Sequence, residues 1–253
     1  MRIDVLTLFP EMFEGPMTAS MMWKARDQGL LELHLHNIRD HTTGKHRTVD
    51  DMPYGGGGGM LMKVDVLAAA IEAVKTEPDS PVIFMSPQGR LLSHQVAAEL
   101  AQYECLIILC GHYEGIDERA LQLLVTDEIS IGDYVLTGGE LAAMVMIDAL
   151  TRHIPGVLGA EGAHERDSHA DGLLEGPHYT RPTVFRGLEV PQVLQQGNHH
   201  DIEQWRREQG LWRTWRNRPD LLLRAVLSEK DQYLLAQFAD EETIRQLSSP
   251  AKK

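Results

Sequence analysis

Short apolar runs alternate with stretches of helical spacing over the first 150 residues, and no other feature limits the possible folds as much. Residues 3–9 read as a buried strand stopped by Pro10, and residues 64–74 have helical spacing with no breaker. Residues 81–85 read as a strand, 94–102 as a helix, 106–110 as a strand and 116–125 as a helix. A short strand at 128–131 and an apolar helix at 140–152, opened by Gly138-Gly139, complete the series. Strands separated by helices imply an α/β fold with a mostly parallel sheet and right-handed crossovers. The longest uninterrupted apolar runs, such as 141–147, fall far short of the ~20 residues a spanning helix needs.

The pattern changes near Pro155. Residues 156–176 hold five glycines with histidines and several acids but no apolar period, and read as a linker. Beyond it come only helix signals, at 190–196, at 199–217 (interrupted by Gly210) and at 230–247. Two units are expected, an α/β domain at 1–155 and a small helical domain at 177–253.

Charge is unevenly spread. The 253 residues carry 24 Lys plus Arg against 37 Asp plus Glu, a net charge of −13 that argues against a general polyanion binder. Residues 1–176 carry a balance of −15 and residues 177–253 one of +2. Within 205–218 stand Arg206, Arg207, Arg213, Arg216 and Arg218 against Glu208 alone, a local patch that can still meet phosphates. Trp205 and Trp212 are seven apart, share a helix face and are expected to pack inward with the arginines outward. Asp4 interrupts the N-terminal apolar stretch and Pro10-Glu11 close it, so it does not read as a signal peptide and a cytoplasmic location is expected. Cys105 and Cys110 bracket one apolar run. An odd separation of five puts them on opposite strand faces, so they read as buried thiols.

The densest motif is Tyr54-Gly55-Gly56-Gly57-Gly58-Gly59-Met60. It lacks the preceding buried strand of a dinucleotide-binding turn, and Lys63 stands too far on for a P-loop. A flexible loop, or a backbone surface that a flat or phosphorylated ligand can approach closely, remains. His164-Glu165-x-x-x-His169 has the wrong spacing for a zincin helix, and no Gly-x-Ser-x-Gly elbow is present. Three Gly-containing loops follow apolar runs: Ser86-Pro87-Gln88-Gly89-Arg90, Gly111-His112-Tyr113-Glu114-Gly115 and the stretch from Gly132 to Glu140. At the carboxyl ends of parallel strands such loops can wall one pocket, although ordinary turn chemistry needs Gly and Pro as well.

These residues resemble the bacterial tRNA (guanine-N1)-methyltransferases of the TrmD type. The likeness rests on His46-Arg47-Thr48-Val49-Asp50-Asp51 before the glycine tract, Ser86 to Arg90, and Cys110-Gly111-His112-Tyr113-Glu114-Gly115-Ile116-Asp117-Glu118-Arg119. Ser130-Ile131-Gly132-Asp133-Tyr134-Val135-Leu136, Ile154-Pro155-Gly156-Val157-Leu158-Gly159 and Pro177-His178-Tyr179-Thr180-Arg181-Pro182 extend it over nearly the whole chain. Gly58 stands where the family commonly has a proline, and so does Ala142.

The resemblance implies a SPOUT-class fold, in which a trefoil knot binds S-adenosylmethionine, followed by a helical tRNA-binding domain. It implies donor contacts from Ser86, Pro87, Gln88, Gly89, Gly111, Glu114, Ile131, Gly132, Asp133, Tyr134, Val135, Leu136, Gly138 and Gly139. It also implies a homodimer whose sites draw on both subunits, magnesium dependence without a readable ligand set, and methylation of N1 of guanine at tRNA position 37. That nitrogen is protonated at neutral pH, so a base must take its proton while charge builds on O6. The family's positions fall on Asp167 as base and Arg152 beside O6, with Glu161, Glu165 and Asp171 as rival linker acids. His46, Gly57, Gly59, Arg213 and Arg216 are the expected substrate contacts. A SPOUT enzyme acting on ribosomal RNA and a non-catalytic RNA-binding protein of the same fold are the alternatives.

Overall fold

The computed structural model describes residues 1–159 and 167–239. The chain divides into two compact units, Met1–Glu161 and Gly162–Lys253.

In the first unit strand β1 (Arg2–Thr7) leads through helix α1 (Ser20–Asp27) to strand β2 (Glu32–Asn37). A two-residue antiparallel pair, β3 (Asp50–Asp51) with β4 (Leu61–Met62), brackets the glycine tract. Then follow α2 (Val64–Val74), β5 (Val82–Leu91), α3 (His94–Leu100), β6 (Cys105–Cys110), α4 (Glu118–Leu124), β7 (Asp127–Ser130) and α5 (Glu140–Thr151). Five strands form one sheet in the order β2-β1-β6-β5-β7, and every pair in it is parallel. This is the expected α/β architecture.

The two-residue period of the strands separates two cores. Ile3, Val5, Ile83, Leu106, Ile108 and Ile129 face α1, α3 and α5. Leu6, Val82, Phe84, Ile107 and Leu109 face α2 and α4. A parallel sheet covered on both faces needs runs that are apolar throughout, and β6 is buried at all six positions. Helix α2 presents Val66, Leu67, Ala70, Ile71 and Val74 as one stripe. Cys110 belongs to the first core, and both cysteines are buried and free. Burial pushes the Cys110 thiol well up, helped by the charge of Glu140. In β1 Asp4 is fully buried yet ionic, with Arg2 donating through Nε and Nη2 and His36 Nε2 at 2.7 Å. Burial opposes its charge, but the bonds from His36 and Arg2 hold its carboxyl below the usual range.

Three features differ from the sequence reading. Helix α1 and strand β2 are additional elements, and β2 is an edge strand whose Leu33 and Leu35 alternate with polar residues. The 81–85 strand does not end at Met85: β5 pairs with β7 through Met85, bulges outward over 86–89, and pairs with β7 again at Arg90 and Leu91. Arg90 locks the return, because its guanidinium reaches both Asp127 (2.7 Å) and Glu99 (2.8 Å).

The second unit is built on α6 (His199–Asn217), α7 (Pro219–Leu222) and α8 (Glu229–Leu235) around Leu173, Leu211, Leu222, Leu234 and Leu235. The predicted helix at 190–196 shrinks to a single 3-10 turn at Gln192–Leu194, boxed in by Pro191 and Gly197. A hairpin, β8 (Val184–Phe185) with β9 (Leu188–Glu189), precedes it and carries no helix signal. Residues 167–176, read above as linker, pack into this unit. Leu173 is buried, the Leu174 N–H donates to Thr214 Oγ1 at 2.9 Å, and Asp171 pairs with Arg207. Gly210 does not interrupt α6. A Cβ there would lie 2.8 Å from the Leu174 carbonyl, so glycine is what lets that segment press against the helix.

The inward stripe of α6 is Gly210, Leu211 and Thr214 with Trp215, not the stripe of Trp205 and Trp212. Trp212 faces out beneath the Arg216 guanidinium, 5.2 Å from its ring centroid, while Trp205 tilts against Tyr179. Arg207 is the arginine that turns inward, to Asp231 and Asp171. The His164-Glu165 motif, Glu161 and the end of the expected 230–247 helix lie outside the described residues. Among those described, no helix is long and apolar enough to cross a membrane.

Candidate active site

The bulge within β5 and the carboxyl ends of β6 and β7 open onto one cleft. Its walls are three segments: Phe84 to Pro87 at the β5 bulge, Gly111 to Gly115 after β6, and Ile129 to Gly139 (Asp133 apart) from the end of β7 onward, with Ala142 from α5. This is where a parallel sheet places a ligand. Of the expected donor contacts, Ser86, Pro87, Gly111, Glu114, Ile131, Gly132, Tyr134, Val135, Leu136, Gly138 and Gly139 line it. Gln88, Gly89 and Asp133 do not. Gly89 packs instead against β7, where a Cβ would meet the Ile129 nitrogen at 2.5 Å. Phe84, Met85, His112, Tyr113 and Thr137 line the cleft in addition. His112 and Tyr113 sit inside the motif that carried the resemblance, so position in the motif was the available signal.

Backbone contacts tie the walls of the cleft together. Gly139 is tied to the opposite wall by its N–H, which donates to the Gly111 carbonyl at 2.9 Å, and His112 bridges to Gly138. Ser130 Oγ donates to the Gly132 carbonyl and accepts from its N–H, holding that turn in shape. The Tyr134 ring lies over Gly132, and its hydroxyl donates to the Ile131 carbonyl at 3.3 Å. Behind the wall Glu140 is buried at the start of α5 and accepts from Thr7 Oγ1 at 2.7 Å. His112 Nδ1 is buried without a hydrogen-bond partner.

The glycine tract comes to the rim of this cleft. The Glu114 N–H donates to the Met60 carbonyl at 3.0 Å, and the Met62 N–H donates to the Gly115 carbonyl at 3.0 Å. A Cβ on Gly59 would overlap the Glu114 side chain, so the bare backbone leaves that carboxylate its place. Gly57 and His46 are exposed. Arg152 caps the C-terminal end of α5, exposed.

The remaining expected residues belong to the second unit. Asp167 lies on a separate cleft there, lined also by Glu175, His178, Glu203 and Arg206. Asp171 is committed to Arg207, which also clasps Asp231 through two bonds of 2.9 Å. Arg213 donates to the Glu175 carbonyl at 3.4 Å, and Arg216 covers Trp212. Among the described residues no group of three or more His, Cys, Asp or Glu side chains gathers as a metal site.

Comparison with known proteins agrees with this geometry. The chain is 60% identical over 242 residues to a protein of Geobacter sulfurreducens, covering 95% of this chain and 99% of that one. It is 57% identical over 244 residues to one of Dehalococcoides mccartyi (96% and 98%), and 58% identical over 246 residues to one of Moorella thermoacetica (96% and 98%). All three bear the name tRNA (guanine-N(1)-)-methyltransferase. The sequence profile of the family described as tRNA (Guanine-1)-methyltransferase TrmD matches residues 1–224, and the chain belongs to that family.

Proposed function

We propose that this chain transfers a methyl group from S-adenosylmethionine to N1 of the guanine at position 37 of tRNA. The observation that carries the reading is the glycine-rich cleft at the β5 bulge and the ends of β6 and β7, with the glycine tract and Glu114 at its rim, in a chain of the TrmD family. The residues present fit the donor. Ser86, Gly111, Gly132 and Gly138 bring small residues and main chain close to a ligand with an adenine edge and a ribose, while Phe84, Ile131 and Leu136 offer apolar contact. When bound, S-adenosylmethionine supplies an electrophilic methyl carbon on a sulfonium.

This chain's residues do the rest. Asp167 takes the N1 proton as the nitrogen becomes nucleophilic, and Arg152 stabilises the charge growing on O6. Gly57, Gly59 and His46 give the target nucleotide a close backbone approach. Arg213 and Arg216 meet phosphates. The return of the 132–139 segment to Gly111 and His112 supports the expected trefoil threading. A homodimer completing each site from both subunits, and work in the cytoplasm, belong to the same reading.

The test is to incubate the protein with labelled S-adenosylmethionine and tRNA transcripts differing only at positions 36 and 37, then map the methyl group. Label on N1 of guanine 37 is the expected result; label on another atom or only on ribosomal RNA refutes it. In single turnover, Asp167→Asn is expected to slow transfer about 10²-fold or more while leaving donor binding intact. Normal rates for that variant across the pH range would remove Asp167 from the base role.

A further inference from the structure

The second unit carries a feature that its core does not explain. The β8–β9 hairpin pairs Val184 with Glu189 and Phe185 with Leu188 around a two-residue turn. Both turn residues, Arg186 (φ 52) and Gly187 (φ 83), take the left-handed conformation that matches the twist of a tight hairpin. Directly opposed residues share a face, so Phe185 and Leu188 project together. They are 60% and 77% exposed, and neither joins the leucine core. A lone two-stranded hairpin has little stability of its own, so holding such side chains in water calls for an occupant.

The charge and ring geometry say which kind. From Pro177 through the hairpin to Glu189 the chain has Arg181 and Arg186 against Glu189 alone, in a protein of net charge −13. The Arg186 guanidinium stands 5.2 Å from the Phe185 ring centroid, so one face of the ring carries a cation while the side chain remains open. Aromatic and guanidinium planes beside fixed positive charge form the surface on which unpaired bases stack. A second protein copy suits it less. Stable interfaces bury roughly 800 Å² per partner and keep charge out of their centre, whereas here a few side chains are flanked by Arg186 and Glu189.

We infer that the β8–β9 hairpin is a stacking platform for an unpaired nucleotide of the RNA substrate, with Phe185 as the stacking side chain and Arg181 and Arg186 on the adjoining phosphates. This rests on the reading that the substrate is an RNA, and adds to it a contact apart from the methyl-transfer cleft and the arginines of α6.

The experiment uses the full chain as wild type, Phe185→Ala and Phe185→Trp, with an unmodified tRNA transcript as probe. A photo-crosslinking amino acid at position 185 gives a second readout. Phe185→Ala is expected to weaken tRNA binding about 5-fold or more, by a factor that changes little with salt because stacking releases no counterions. Phe185→Trp should stay within about 2-fold of wild type, since a larger ring stacks at least as well. Both variants should keep wild-type melting temperature and donor affinity, and the crosslink should fall on a nucleotide. Unchanged tRNA affinity for Phe185→Ala, or a crosslink to a second copy of the chain, overturns the proposal. If Phe185→Ala matches wild type while wild type methylates guanine 37, the hairpin assignment fails and the proposed function stands. If Phe185→Ala loses RNA binding while wild type places no methyl on that guanine, the hairpin stands and the proposed function fails.

Discussion

Replacing Gly139 by alanine tests whether the cleft depends on contact between two backbones. Gly139 has φ −79 and ψ −9, a conformation alanine adopts freely, so no dihedral strain enters. The added methyl, however, would lie 2.8 Å from the Cys110 Cα and 3.0 Å from the Gly111 nitrogen. Carbon atoms prefer separations of about 3.5–4.0 Å, so the start of α5 must retreat from the end of β6 by roughly 0.7–1 Å. Overpacking of this kind costs about 1–3 kcal/mol. Stretching the Gly139 N–H bond to the Gly111 carbonyl removes about 1 kcal/mol more. At about 2–4 °C per kcal/mol for a unit of this size, the melting temperature should fall by roughly 4–15 °C. The donor must then close a spread pocket, and its dissociation constant, read by calorimetry, should rise about 10-fold or more. Gly58→Ala is the control, because a Cβ there meets nothing within 4 Å and its φ is unrestricted. That variant should melt at or slightly above wild type. A Gly139→Ala protein with a melting temperature within about 1 °C of wild type and unchanged donor affinity would refute the packing argument.

Three further outcomes are expected. Burial works against the Asp231 carboxylate, but bonds from Arg207, Ser228 N–H and Ser228 Oγ hold its pKa at about 2, below the ordinary 3.8. The resulting stability, about 2 kcal/mol, is present in full above pH ~4 and is lost as pH falls through 2. Asp231→Asn should therefore destabilise the protein by urea titration at pH 7 and converge on wild type near pH 2, and a constant difference across that range would sink the assignment. Arg213→Ala with Arg216→Ala should weaken tRNA binding and flatten its salt dependence by about 1–2 in log–log slope, and an unaltered slope would mean α6 does not touch phosphate. Cys105 and Cys110 should resist a thiol reagent in the native protein and react at once in denaturant, whereas rapid native labelling would contradict their burial.

Much of the first unit was legible because its signals are local. The apolar runs that became β1 and β6 must be covered on both faces, and α2 matches its spacing to the residue. The cleft was legible as three loops at strand ends, but its closure was not, since the approach of Gly139 to Cys110 joins segments nearly thirty residues apart. The bulge in β5 was hidden for the same reason: only pairing with β7 shows that the chain returns to the strand it left. In the second unit the misreadings share one cause. Helical spacing says which residues share a face but not which face is inside, and Gly210 decides that by admitting Leu174, which turns Trp212 outward. Asp171, one linker acid among several by composition, proves to be a structural partner of Arg207. Asp167 could be singled out only by family likeness.

The bulge at 86–89 has a dynamic consequence. Because β5 pairs with β7 on both sides of it, at Met85 and again at Arg90, this wall of the cleft is a short loop pinned at both feet to one neighbouring strand. It cannot swing on a hinge as a flap fixed at one end does, and the ordering of its backbone is already complete before a ligand arrives. Any motion that admits or releases a ligand therefore has to come from another part of the cleft's lining, not from this wall.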